Sequence, residues 1–260
     1  MRLKTLIVHG GHGPDPATGA VNVPIYLSST YAQERPGVHR GYEYSRTGNP
    51  TRTALENLAA ELEGGVRGLA FASGMAAMST VLSLLDAGDH VVVGDDVYGG
   101  TYRVVERVFK RLGIQATYAD TADPEDVARS MRPETRMVIV ESPTNPLLKV
   151  ADLRALADVA HRAGAWLVVD NTFMTPYWQQ PLTVGADIVV HSATKYLSGH
   201  SDVVAGLVVV KDVELGERLH YLQNAVGGVL GPHDSWLLIR GIRTLGLRME
   251  AHERNAMALA

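Results

Sequence analysis

The sequence predicts an α/β fold with a mostly parallel sheet. Short, β-rich and almost wholly apolar runs recur along it, and segments with helical spacing lie between them. That alternation is the pattern of strands covered on both faces by crossover helices. The chain has 260 residues, 46% of them hydrophobic, enough to bury one large core or two smaller ones.

Up to about Pro50, glycine, proline and tyrosine are frequent and no period is sustained, so residues 1–50 read as an extended arm. Asn49-Pro50 is a start signal for a helix over 51–63, because a capping side chain precedes a proline with helical φ. Strands are predicted at 69–71, 90–93, 137–140, 166–169, 188–190 and 207–210, and helices at 76–85, 101–112, 123–131 and 153–163. From Asp234 to Ala260 a helical pattern is interrupted only at Gly241 and Gly246. No stop signal follows Met249, so the chain is expected to end inside a helix.

The bulk properties exclude several classes. A net charge of -4 with 24 scattered basic residues gives no electrostatic reason for nucleic acid or an anionic membrane. The absence of cysteine excludes disulfides, iron–sulfur ligation and thiolate zinc sites. With no apolar stretch near the amino terminus long enough for a signal peptide, the expected location is the cytoplasm. Residues 68–85 carry no charge, but Ser73-Gly74 breaks the run and Ser79, Thr80 and Ser83 dilute it. A strand, a turn and a helix are expected there, not a membrane span. The ten histidines form no set with metal-ligand spacing, and neither a dinucleotide fingerprint nor a Walker pattern is present.

Chemistry concentrates at predicted strand ends. Lys195 closes Ser192-Ala193-Thr194-Lys195 and Asp170 ends the run 166–169, both at the edge where open α/β sheets place ligands. An amine, two hydroxyls and a carboxylate in that relation suit pyridoxal phosphate (PLP): Schiff base, phosphate contacts and pyridine-nitrogen partner. Taken alone, Asp170 is also a turn aspartate and Lys195 a solvated lysine. Ser73-Gly74-Met75 joins a strand to a helix and presents N–H groups to an anion such as phosphate, or merely starts the helix. Tyr98, beside Gly99-Gly100, is either a ring that stacks on a flat cofactor and assists proton transfer or a surface turn residue. Arg46, next to Tyr44 in the arm, suits bidentate phosphate contact, to a neighbouring subunit if the arm reaches away.

These segments resemble the Cys/Met-metabolism family of PLP-dependent enzymes over essentially the whole chain. The anchors are Tyr44-Ser45-Arg46-Thr47-Gly48-Asn49-Pro50-Thr51, Ser73-Gly74-Met75-Ala76-Ala77, Tyr98-Gly99-Gly100-Thr101, Ser142-Pro143-Thr144-Asn145-Pro146, Val169-Asp170-Asn171-Thr172-Phe173 and Ser192-Ala193-Thr194-Lys195-Tyr196. The resemblance implies the fold type I (aspartate aminotransferase-like) large domain with a seven-stranded sheet. It implies an arm at 1–50 making inter-subunit contacts, a cofactor domain at 51–245, and at 246–260 the start of a linker helix towards a C-terminal domain that this chain lacks.

The same resemblance implies PLP held covalently on Lys195, which also shuttles protons, with Tyr98 catalytic as well as stacked on the ring. Asp170 pairs with the pyridine nitrogen; Gly74, Met75, Ser192 and Thr194 hold the phosphate, joined by Tyr44 and Arg46 of an adjacent subunit in a homotetramer built as a dimer of dimers. Asn145, Arg103 and Glu43 line the substrate site, and no metal is implied. Ser198 stands where the family commonly has glycine, and the arginine that clamps the substrate carboxylate belongs to the further domain.

The expected activity is elimination or replacement at the γ- or β-carbon of cystathionine, a related sulfur amino acid or an O-acylhomoserine, of the cystathionine γ-lyase or γ-synthase type. Methionine γ-lyase and O-acetylhomoserine sulfhydrylase are alternatives within the family. A shortened, non-catalytic scaffold is an alternative from another class, and a nucleotide-binding module is a third that leaves Lys195 without a role.

Overall fold

The computed structural model describes residues 2–260. Its strands are β1 (Arg67–Phe71), β2 (His90–Gly94), β3 (Gln115–Ala119), β4 (Thr135–Glu141), β5 (Trp166–Asp170), β6 (Ile188–Ser192) and β7 (Gly206–Val210). They form one seven-stranded sheet in the order β1-β7-β6-β5-β4-β2-β3. Neighbours from β6 to β3 pair in parallel. β7 alone runs antiparallel, to both β1 and β6, so the mostly parallel sheet is as expected.

The helices are α1 (Leu3–His9), α2 (Pro50–Glu63), α3 (Gly74–Leu82), α4 (Gly99–Arg107), α5 (Pro124–Ser130), α6 (Leu153–Arg162), α7 (Thr175–Trp178), α8 (Val213–Val226), α9 (Pro232–Ile242) and α10 (Leu245–Leu259). Strand residues alternate between two cores, as the pleat requires. Val138, Val140, Leu167, Val169 and Val189 face a core shared with α2, α6 and α9. Met137, Ile139, Val168, Ile188 and Val190 face a second core, shared with α3, α4 and α8.

Several elements differ from the sequence expectation for physical reasons. β3 was not anticipated, because as an edge strand it is only partly buried and only partly apolar. The arm begins with a helix, α1, which buries only Ile7 within its own seven residues, and α8 fills a stretch for which no helix was predicted. The segment 101–112 divides into α4 and a 3-10 turn at Phe109–Leu112.

The carboxyl-terminal helical pattern breaks at Arg243-Thr244 and not at its glycines. Gly241 lies inside α9 because a β-carbon there would come within 2.2 Å of the Ser198 carbonyl oxygen. It is a close-approach glycine and not a stop signal.

After α1 the arm is irregular and largely exposed up to Asn49. Asn49 is fully buried, and its side-chain oxygen accepts the N–H groups of Thr51 and Arg52 at the start of α2. No helix among the described residues is long and apolar enough to cross a membrane. No cluster of three or more acidic or histidine side chains among them suits a metal ion.

Candidate active site

The parallel strands deliver their carboxyl ends to one edge of the sheet, where the amino end of β7 meets them. A cavity of about 310 Å³ opens there, lined by Gly74, Met75, Tyr98, Asn145, Asp170, Ser192, Thr194 and Lys195 among others. Every residue predicted for the cofactor from within one chain therefore faces one space. The pleat explains three of the lining residues: Glu141, Asp170 and Ser192 each follow by two a residue of the α3/α4 core, namely Ile139, Val168 and Val190.

Asp170 is held by its neighbour. The Thr172 N–H and hydroxyl donate to its Oδ1 at 3.0 and 2.5 Å, and the Ser192 N–H donates to the Thr172 hydroxyl at 2.8 Å. Burial raises the Asp170 pKa, and the Thr172 hydrogen bonds oppose that shift. A cationic nitrogen is the partner such a carboxylate lacks.

On the other side of the cavity, the Ser73 side chain caps α3 by accepting the Ala76 N–H at 3.0 Å. The N–H groups of Gly74 and Met75 are helix-start donors with no intrahelical acceptor. Gly74 permits the close approach: a β-carbon there would lie 2.9 Å from that of Ser192. The Thr194 hydroxyl is fixed at the residue before β7, accepting the Ala205 N–H at 3.0 Å and donating to the Ala205 carbonyl at 3.2 Å. Two free amide donors, the positive end of a helix and two hydroxyls make a cradle that fits a phosphate.

Tyr98 sits above this cradle and half exposed. A β-carbon on Gly100 would strike the Tyr98 ring at 2.4 Å and the Met75 sulfur at 2.7 Å, so the glycine makes room for both. Asn145 is placed by Asp96, whose Oδ2 accepts the Thr144 hydroxyl at 2.5 Å and the Leu147 N–H at 3.0 Å. Lys195 lines the cavity and a wider opening of about 730 Å³ shared with Tyr196, Arg248 and His252. Among the described residues no carboxylate lies within ion-pair distance of its amine.

Four predicted residues are not brought into this cavity by their own chain. Tyr44 and Arg46 are exposed on the arm, with the Arg46 guanidinium 5.6 Å from the Tyr44 ring centre. Glu43 lines a separate recess with His39 and Arg67, and Arg103 is exposed on α4.

Sequence reasoning missed Glu141. It is buried at the end of β4, directly paired with Asp170 in the strand register, and its Oε2 accepts the Tyr98 N–H at 2.8 Å. Burial, then the nearby Asp170 charge, push its pKa up to about 8. The available signal was an acid directly after the apolar run 137–140, at the ligand edge.

These residues fit a PLP-sized group, with an anion cradle, a buried carboxylate that has no cationic partner, an aromatic face and an amine around one cavity. The sequence profile of the Cys/Met metabolism PLP-dependent enzymes matches residues 4–260. The chain is 63% identical over 260 residues to cystathionine gamma-lyase of Bacillus subtilis, covering all of this chain and 69% of that protein. It is 54% identical to cystathionine beta-lyase of Lactococcus lactis, covering 99% of this chain and 68% of the relative. The crystal structure of cystathionine gamma-lyase from Lactobacillus plantarum complexed with L-serine superposes with a TM-score of 0.98 at 52% identity, covering 100% of this chain and 68% of that one. With a profile match over nearly its full length, carried by residues that converge on one cavity, the chain belongs to the Cys/Met metabolism family of PLP-dependent enzymes.

Proposed function

We propose that this chain is a PLP-dependent trans-sulfuration enzyme that eliminates or replaces the sulfur-bearing substituent of cystathionine or a related amino acid. The observation that carries the reading is the convergence of Lys195, Asp170 and the Gly74–Ser192 contact on one cavity. Relatives named as cystathionine lyases support the substrate class.

When bound, PLP supplies an electron sink conjugated to the substrate α-carbon. The residues do the rest. Gly74 and Met75 N–H groups with the Ser192 and Thr194 hydroxyls bind the phosphate, and Asp170 holds the pyridine nitrogen protonated. Lys195 carries the cofactor and is the base for the substrate α-proton, returning protons farther along the side chain as the substituent leaves. The Tyr98 ring covers one face, and its phenol is within the same cavity for proton transfer. Asn145 orients the cofactor and the substrate carboxylate; Arg103 and Glu43, which lie outside the cavity of their own chain, would serve only the outer part of the site in the assembled enzyme.

The arm completes the arrangement. Tyr44 and Arg46 lie outside their own chain's cavity, which supports a role on a neighbour's phosphate; the assembly we propose is a homotetramer of paired dimers, working in the cytoplasm.

The test is an absorbance spectrum of PLP-loaded protein before and after borohydride, beside Lys195→Ala, followed by addition of cystathionine. The expected result is a borohydride-sensitive band in the wild type only, with release of a thiol amino acid, ammonia and a keto acid. A colourless wild type, or the same reducible band in Lys195→Ala, overturns the site. A loaded protein that leaves cystathionine and O-acylhomoserines unchanged overturns the activity and marks a scaffold.

A further inference from the structure

Behind the cavity, on the opposite face of the sheet, lies a polar cluster that the proposed chemistry does not use. Glu63 ends α2 and His191 is on β6, each 1% exposed. The His191 Nε2 and Glu63 Oε1 are 2.6 Å apart. The same carboxylate oxygen accepts the Asn171 side-chain amide at 3.0 Å. Asn171 is fully buried; its amide also donates to the Gln179 carbonyl, and its side-chain oxygen accepts from the Gln179 amide at 2.9 Å. The Gln179 amide reaches on to the Ser142 carbonyl at the end of β4. The other carboxylate oxygen of Glu63 and the Nδ1 of His191 have no partner.

Such a cluster is an unfavourable way to fill a core. Apolar residues of similar volume are often neutral or stabilising in place of a buried ionisable pair, and unpartnered polar atoms add a further penalty. The position of the cluster suggests what offsets this. Asn171 lies between Asp170 and Thr172, and His191 lies next to Ser192, so its members alternate with residues facing the cavity.

The cavity side has its own tie between β5 and β6, from Asp170 through Thr172 to Ser192. The Glu63 carboxylate makes a second tie between the same two strand ends from behind.

We propose that Glu63 and His191 are positioning residues: a rear clip that fixes the ends of β5 and β6, and thereby the spacing of Asp170 from Ser192 across the cofactor site. The inference rests on the reading of those two residues as cofactor contacts. Neither Glu63 nor His191 touches the cavity, so neither is catalytic.

The test replaces the clip with apolar side chains, Glu63→Leu with His191→Leu, and measures two quantities: melting of the PLP-free protein, and PLP affinity from fluorescence quenching and the borohydride-sensitive band. A positioning role predicts unchanged or higher melting of the PLP-free variant together with affinity weakened about tenfold or more, as when partners that orient a site's ligands are removed. Glu63→Gln keeps an acceptor for Asn171 and an amide facing His191, and retains affinity to within about twofold if geometry is what the clip supplies.

Affinity unchanged in the double variant overturns the proposal. So does affinity that falls only in step with melting in both variants, since that marks a merely structural pair. Should the double variant fail to fold, Glu63→Gln and His191→Gln decide by the same two readouts: donor-retaining variants with full melting and lost affinity overturn the geometric role. A wild type that binds no PLP is a different failure, that of the site itself.

Discussion

Two carboxyl groups facing one another across neighbouring strands cannot both carry charge cheaply in a buried cavity without a cation between them. Burial raises the pKa of both: at Asp170 two hydrogen bonds from Thr172 oppose the shift, whereas Glu141 is pushed up to about 8 and is mostly protonated at neutral pH. A carboxyl whose folded pKa exceeds its ordinary 4.5 stabilises the fold at low pH, and that contribution is lost as pH rises from about 4.5 through about 8. The melting temperature of the PLP-free protein is therefore expected to carry a declining contribution between about pH 5 and 8, with a shallower decline in Glu141→Gln. Equal slopes would remove Glu141 from the account.

Gly74→Ala places a β-carbon 2.9 Å from that of Ser192. It is expected to destabilise by ~1–3 kcal/mol and to displace the phosphate donors, read by denaturant melts and by PLP affinity. Gly74, Asp170 and Lys195 were legible in the sequence because each follows an apolar run that announces a strand end. Glu141 was not, because its strand was taken to stop at Val140, one residue short. Counting by two from Ile139, as from Val168 to Asp170, is the signal that finds it.

At the level of elements, the join between the arm and α2 carries more than a cap. The Asn49 side chain accepts from the first turn of α2 and donates to the Tyr26 carbonyl at 2.9 Å and to Ser45 at 3.2 Å. Arg52, also buried, donates to the Ser45 and Arg46 carbonyls. The segment bearing Tyr44 and Arg46 is thus moored to the first turn of α2. Asn49→Ala is expected to lose ~1–3 kcal/mol, combining a lost cap with unsatisfied buried groups, and limited proteolysis should then cut between Tyr26 and Ser45 faster than in the wild type. Unchanged cleavage would show that the arm is held by other contacts. The sequence announced the start of α2 through Asn49-Pro50 but not the mooring, which depends on how the irregular arm folds back on that turn and carries no periodicity. β3 escaped notice for a related reason: an edge strand needs only one buried face, and its apolar signal is correspondingly weak.

For the molecule as a whole, the question is which chain's Arg46 serves which cavity. If Arg46 reaches a neighbour, Arg46→Ala protein should bind PLP weakly on its own and recover affinity when allowed to exchange subunits with Lys195→Ala protein. The second chain supplies the arginine and the first the lysine. Recovery of the borohydride-sensitive band in the mixture supports the shared site; no recovery assigns Arg46 to its own chain. No sequence periodicity encodes that relation, since it depends on how copies meet. What the sequence did convey at this scale was the alternation of strands and helices, from which a mostly parallel sheet with its ligand edge follows.

The one reversed strand also dictates when the site can come into being. β7 enters the sheet between β1 and β6, and a β-carbon on its first residue, Gly206, would fall 2.2 Å from the Ser73 carbonyl. During synthesis, α3 with its free amides emerges early, while the strand that closes against it emerges after every other strand. Lys195, Asp170 and Glu141 are already in the chain by then, without the wall that sets their spacing from Gly74. Contacts between such distant parts of a chain form late and slowly, because the intervening loop must first be closed. The phosphate cradle is accordingly among the last features to assemble, and a ribosome-bound chain halted before β7 should contain the reactive lysine without a site to hold its cofactor.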